Sequence, residues 1–446
     1  MSEHGRWRDV AAAAGLTDRA GGTLRPTIFA EMTALAARTG AVNLGQGFPD
    51  VDGPESVREA AVEALRAGAN QYAPGDGIPA LREAVAAHQR EHYGLAVDPG
   101  TEVLTTTGAT EAIAATVLAL AGPGDEVLTL EPYYDSYAAV IAMAGATHTT
   151  APLRATADGF RLDADALRAA FTARTRIVLL NTPHNPTGAV LERTELELVA
   201  ALAREHDAVV VTDEVYEHLT FDGATHVPVA TLPGMAERTV TISSAGKTFS
   251  FTGWKVGWLH GPAPLVEAIR TVKQFLTYTS GAPLQPAVAF ALTDDGVRTW
   301  VAELAASLAA RRDLLCEGLE AAGFGVVRPR GTYFVLADAS AHLARHGLPD
   351  GAALCRALPG LAGVVGVPVG AFTRPGSAAD EALRPFVRFT FVKRETVLTE
   401  AIERLAALAQ STRSTTISGG AKPPRRNTGV PARSTSTAAS ADPAMT

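Results

Sequence analysis

The chain has 446 residues, too many for one small hydrophobic core, and a large domain with a smaller one is the expected division. Its 39 basic and 47 acidic residues give a formal charge of −8 with no basic stripe, which argues against a nucleic-acid partner, and Cys316 and Cys355 are too few for a disulfide framework. There is no run of about 18 apolar residues and no signal-peptide apolar core near the N-terminus, so a soluble protein of a reducing cytoplasm, with no membrane partner, is expected.

Residues 1–25 are rich in Gly and Ala and read as a poorly fixed segment. Pro26 then opens a helix over 27–38, with Phe29, Met32, Leu35 and Ala36 on one face. In the stretch 42–50 that follows, Gly45 and Gly47 allow either close backbone approach to a ligand or a tight turn. A helix near 54–67 leads into an irregular segment, 70–77, whose Tyr72 does not read as core.

From about residue 81 to 292 strands alternate with helices, the pattern of a mostly parallel sheet covered on both faces. Seven strands are expected, at 103–105, 126–130, 148–151, 177–180, 208–212, 239–242 and 256–260. Several end in polar clusters: Thr107 to Thr110, Tyr133 to Asp135, Asn181 to Gly188, Asp213 to Tyr216 and Ser244 to Lys247. Ligands of open α/β sheets bind outside the carboxyl ends of the strands, so these clusters point to one crevice.

Beyond residue 295 a long helix over 297–322, with Arg311, Arg312 and Asp313 on its wet face, precedes strand-like runs at 333–336 and 386–392 and a closing helix to about 410. The fold class is therefore α/β, with residues 56–295 as a large domain and 26–55 joined to 296–410 as a smaller α+β domain. Residues 411–446, polar and low in complexity, read as a disordered tail.

A lysine at one strand end, an aspartate at another and a phenol beside it are what a pyridoxal phosphate site needs: an amine for the cofactor's aldehyde carbon, a carboxylate to keep the pyridine nitrogen protonated, and donors for the ring hydroxyl. The stretches Ser-Ser-Ala-Gly-Lys-Thr-Phe at 243–249, Asn-Pro-Thr-Gly at 185–188 and Asp-Glu-Val-Tyr at 213–216 together resemble the fold-type I, class I/II aminotransferases. The resemblance covers roughly residues 25–408 and is best to the branch that holds kynurenine/glutamine transaminases and actinobacterial N-succinyldiaminopimelate aminotransferases.

This resemblance implies that Lys247 is covalent anchor and base, that Asp213 pairs with the ring nitrogen, and that Asn185 and Tyr216 donate to the ring oxygen. It places the phosphate on the backbone of Gly108, Ala109 and Thr110, with Ser244 and Lys255 closing the cup and Tyr134 stacked on the ring. It makes Tyr72 the contact to a neighbouring subunit's phosphate, hence a homodimer. Arg388, an arginine inside the apolar run 386–390, grips the substrate α-carboxylate with Gly47 and Asn185, or else forms a structural ion pair.

The positions matching the relatives' side-chain pocket are Phe29, Arg38, Thr110 and Tyr278, a set that gains a cation and favours an acidic donor such as N-succinyldiaminopimelate over an indole or aniline. Arg38 is the candidate to meet the remote carboxylate across the dimer, or a helix C-terminal charge in solvent. The phosphate cation is Lys255 rather than an arginine, and no second arginine of the dicarboxylate-specific kind is placed. Rival functions are a C–S β-lyase on the same cofactor and a regulator that only binds it; the complete set of chemical residues favours transamination. No dinucleotide fingerprint and no metal-ligand cluster are read, and His184 reads as a loop side chain.

Overall fold

The computed structural model describes residues 5–17 and 23–410; the tail read as disordered lies outside them. Fourteen strands are present among the described residues. In chain order they are β1 (Val42–Asn43), β2 (Val103–Thr106), β3 (Glu126–Glu131), β4 (Thr147–Thr156), β5 (Gly159–Leu162), β6 (Thr175–Asn181) and β7 (Val209–Asp213). Then follow β8 (Thr239–Ser244), β9 (Gly257–His260), β10 (Gly325–Val327), β11 (Phe334–Asp338), β12 (Val364–Val365), β13 (Val367–Pro368) and β14 (Phe386–Thr390).

The large sheet runs β2-β9-β8-β7-β6-β3-β4-β5. Its central strands, β3, β6, β7 and β8, are buried at every position but Arg176 because both faces are covered, and successive side chains go to opposite sides. Ile177 and Leu179 pack into one core with Val209 and Val211, while Val178 and Leu180 pack into the other with Val210. The pairs β8-β7, β7-β6, β6-β3 and β3-β4 are parallel, whereas β9 is antiparallel to both β2 and β8. The seven expected strands all occur. An eighth, β5, turns back antiparallel on the far end of β4 at the Ala157-Asp158 turn.

A second sheet, β10-β11-β14-β13, is antiparallel throughout, and β1 pairs with β12 in a short parallel ribbon. The helix Ile28–Thr39 packs Met32 and Ala36 into the core shared by this sheet. It starts at Thr27, whose hydroxyl accepts from the Ala30 N–H, and stops at left-handed Gly40. A cap of this kind contributes about 1 kcal/mol.

Two expectations are corrected. Within the segment read as poorly fixed, Arg6–Ala13 is a helix, since its alanines favour helix and Arg6 has a seat against Gly145. On the long helix Asp295–Ala321, Arg312 is not on a wet face. It is buried, and its guanidinium is shared between Asp222 and Asp313, which supply the charge partners that burial demands. Among the described residues no helix is long and apolar enough to cross a membrane.

Candidate active site

Parallel register builds the site. Asn181, Asp213 and Ile242 stand abreast on β6, β7 and β8, so the segments that follow all emerge at one edge. The antiparallel strand β9 begins where β8 ends, with Gly257 opposite Ser244 on one side and Thr106 on the other. Lys255 is thereby returned to the same edge, beside the start of the helix Gly108–Leu120. Gly257 is required by this approach: a Cβ there would stand 2.6 Å from the carbonyl carbon of Gly108. Gly108 itself has φ +76°, a conformation that costs glycine little.

The edge encloses a cavity of about 170 Å³. Gly108, Ala109, Thr110, Tyr134, Asn185, Asp213, Tyr216, Ser244, Lys247 and Lys255 are among the residues that line it. All ten were singled out in the sequence.

Asp213 is buried at the end of β7, and burial raises its carboxyl to about pKa 6. A hydrogen bond from the Tyr137 hydroxyl at 2.7 Å, the Val215 N–H and the charge of Lys247 pull the other way. Asn181 ties this floor to the next loop, donating to the Asp213 carbonyl at 2.7 Å and accepting from the Asn185 N–H at 2.6 Å. The Lys247 Nζ lies 5.8 Å from the Tyr216 ring centre and 5.7 Å from that of Tyr333. These two rings meet edge to face, and the Tyr333 hydroxyl donates to the Gly47 carbonyl at 2.8 Å. Burial lifts the Tyr216 phenol well above its ordinary value. Desolvation, then Lys247, lower the Lys255 ammonium.

Arg388 projects from β14 into the same region and is fully buried. It donates to Asn185 Oδ1 at 3.0 Å and to the Gly45 carbonyl at 3.1 Å, and its Nε has no partner. The rings of Phe334, Phe372 and Phe29 surround the guanidinium at 4.0, 4.7 and 5.3 Å. Burial lowers its pKa to about 10, which leaves it charged at neutral pH. Among the described residues no carboxylate forms a salt bridge with it, which disfavours the structural ion pair.

Within one chain three residues are not brought to this site. Arg38 is exposed in the last turn of its helix, nine residues from Phe29 and so about 13–14 Å along the axis. Tyr72 is 82% exposed and meets the half-exposed Tyr278 edge to face at 5.5 Å. The sequence reading missed Tyr137 and Tyr333. Tyr137 follows Tyr134 by one helical turn and was findable, whereas nothing local marks Tyr333.

The family model for aminotransferase class I and II matches residues 39–405. The chain is a class I/II aminotransferase. It is 55% identical over 395 residues, 87% of its length and 98% of the relative's, to "Probable N-succinyldiaminopimelate aminotransferase DapC" of Mycobacterium tuberculosis. It is 38% identical over 399 residues, 85% of its length and 87% of the relative's, to kynurenine–oxoglutarate transaminase 3 of Mus musculus. The solved structure of the M. tuberculosis N-succinyldiaminopimelate aminotransferase superposes with a TM-score of 0.83 at 53% identity, over 91% of this chain and all of that one.

As a member of this family the aminotransferase depends on pyridoxal 5'-phosphate and acts on an amino acid and a 2-oxo acid. Its residues fit that cofactor. Asp213 is a buried acceptor for a ring N–H, Lys247 offers an amine to the same cavity, and the backbone of Gly108 and Ala109 opens a helix N-terminus, a ready anion site, next to Lys255.

Proposed function

We propose that this aminotransferase moves the amino group of N-succinyldiaminopimelate to 2-oxoglutarate, a step of lysine biosynthesis, as a cytoplasmic homodimer. The observation that carries the substrate is the 55% identity to the M. tuberculosis protein across nearly all of that protein's length. The dimer rests on an exposed aromatic pair, Tyr72 and Tyr278, with Phe275, 80% exposed, three residues before Tyr278 in the chain; exposed rings of this kind suit a second copy of the chain. Residues 56–295 form the cofactor-binding domain in this reading.

Bound in the cavity, the cofactor supplies an electron sink for charge that develops at the substrate Cα. Lys247 would anchor it through Nζ and, as a free amine, would hold and move the proton of the substrate Cα. Asp213 accepts the ring N–H in a charge-assisted bond and so keeps that nitrogen protonated; Tyr137 orients the carboxylate. Asn185 and Tyr216 donate to the ring oxygen, and Tyr134 covers the ring. Gly108, Ala109, Thr110, Ser244 and Lys255 hold the phosphate. Arg388 takes the substrate α-carboxylate bidentately, positioned by Asn185 and the Gly45 to Gly47 backbone.

The test is a panel of donors against 2-oxoglutarate, scored by released glutamate. N-succinyldiaminopimelate is expected to give the highest kcat/KM; a preference for kynurenine, glutamine or methionine would assign the enzyme to its other relatives. A cysteine conjugate that yields pyruvate and ammonia in place of glutamate would reveal C–S β-lyase chemistry. Arg38→Ala is expected to leave all donors within about twofold, consistent with a helix-terminal charge in solvent.

A further inference from the structure

The helix Pro79–Tyr93 carries His88 and His92 four residues apart, so both imidazoles leave the same face one turn apart. The turn after β7 delivers a third, His218, 130 residues beyond His88. The Nε2 atoms of His88 and His218 are 2.8 Å apart, and the three ring centres are separated by 4.4, 4.9 and 5.0 Å. One ligating nitrogen from each ring lies within 4.8 Å of the other two. Two imidazole nitrogens bound to one tetrahedral zinc ion at its usual bond length stand about 3.3 Å apart, so side-chain shifts on the order of 1 Å would close the set.

The surroundings suit ligation. A metal-bound histidine needs a partner for its other ring nitrogen, and the buried Gln89 amide stands 3.3 Å from His88 Nδ1, with its Oε1 unpartnered. A half-turn of that amide presents the oxygen to Nδ1–H, which leaves Nε2 free for a metal. Glu217, adjacent to His218, is braced by the hydroxyls of Tyr93 at 2.6 Å and Ser243 at 2.8 Å. Burial of His88 and His218 disfavours their protonated forms, so the lone pairs are present at neutral pH. His92 is exposed and gives the cluster an entrance. None of the three lines the cofactor cavity. The sequence showed no metal cluster because only the pair at 88 and 92 is local.

We propose that His88, His92 and His218 bind one imidazole-seeking divalent ion of the zinc class, with water in the fourth position. The ion clamps the helix Pro79–Tyr93 to the turn that carries Tyr216, two residues before His218. All-imidazole ligation with an open fourth position suits zinc and cobalt better than magnesium or calcium, which take oxygen ligands.

The test titrates cofactor-loaded enzyme, with any affinity tag removed, with cobalt chloride and then displaces cobalt with zinc. The expected result is one cobalt per chain at micromolar concentration, visible ligand-field bands of a tetrahedral ion, their loss on adding zinc, and a zinc-dependent rise in unfolding temperature. His92→Ala, at an exposed position, is expected to weaken binding by more than the roughly 10- to 100-fold that loss of a supporting group costs, and to abolish the temperature shift. His218→Asn is expected to do the same. Wild type without ligand-field bands, or equal metal affinity in wild type and His92→Ala, would overturn the proposal.

Discussion

Arg388 donates to the side-chain oxygen of Asn185 across 203 residues of sequence, joining β14 of the second sheet to the loop after β6 of the first. The residue proposed to hold the substrate is thus positioned by one proposed to hold the cofactor ring. A fork-shaped cation set among three phenyl rings, with its Nε unpartnered, has room for one more planar acceptor. Arg388→Lys keeps the charge and loses the fork. We expect KM for both donor and oxo acid to rise roughly 10- to 100-fold, the equivalent of about 1.5–3 kcal/mol for a charged hydrogen bond. Because every substrate carries the α-carboxylate, steady-state kinetics should show similar losses for all donors. A loss confined to one donor would move Arg388 from carboxylate recognition to side-chain recognition.

Asp213→Asn is expected to retain bound cofactor and to lower kcat by about 100-fold or more, the scale of losing a charge-assisted site interaction. Tyr137→Phe removes only the hydrogen bond that orients the carboxylate, and a smaller fall, about 3- to 10-fold, is expected. Cofactor content by absorbance, measured beside turnover, separates binding from catalysis. Near-normal turnover of Asp213→Asn would contradict its role at the ring nitrogen.

Lys247→Ala is expected to lose both the yellow absorbance of the lysine-linked cofactor and transaminase activity. In wild type, borohydride reduction followed by peptide mass analysis should place the cofactor on the peptide that contains Lys247. Lys255 is the other amine lining the cavity, but its ammonium lies beside Gly108, at the proposed phosphate seat. A reduced adduct on Lys255 would reverse the two assignments.

His184 is buried, its Nδ1 2.7 Å from the Thr187 hydroxyl, and burial lowers its pKa from 6.5 to about 3. The unfolded chain therefore binds a proton between these two values that the folded chain refuses. The stability this provides is present above pH 6.5 and is lost as pH falls from 6.5 towards 3, at up to about 1.4 kcal/mol per pH unit. Denaturant unfolding at a series of pH values should show stability falling with acidity, and His184→Asn should lessen that slope by close to one proton. An unchanged slope would mean that the ring is already charged when folded.

The strands and their polar endings were legible in the sequence because parallel strands buried on both faces are continuous apolar runs, and a polar residue at the end of such a run has few places to go but the crevice. That local logic found Lys247, Asp213, Asn185 and the Gly108 to Thr110 turn, all of which sit at carboxyl ends or the helix start beside one. Arg388 stood out for the same reason, as a charge inside an apolar run. Tertiary structure alone decided which way β9 runs, and hence that Lys255 faces Gly108; a four-residue strand reads the same in either direction. It also decided that Arg312 is buried against Asp222, that Tyr333 reaches Gly47, and that Arg38 is exposed. The histidine cluster belongs here too. Two of its members share a helix, but the third arrives through the packing of a helix against a strand-end turn, a contact between residues 130 apart that no local periodicity encodes.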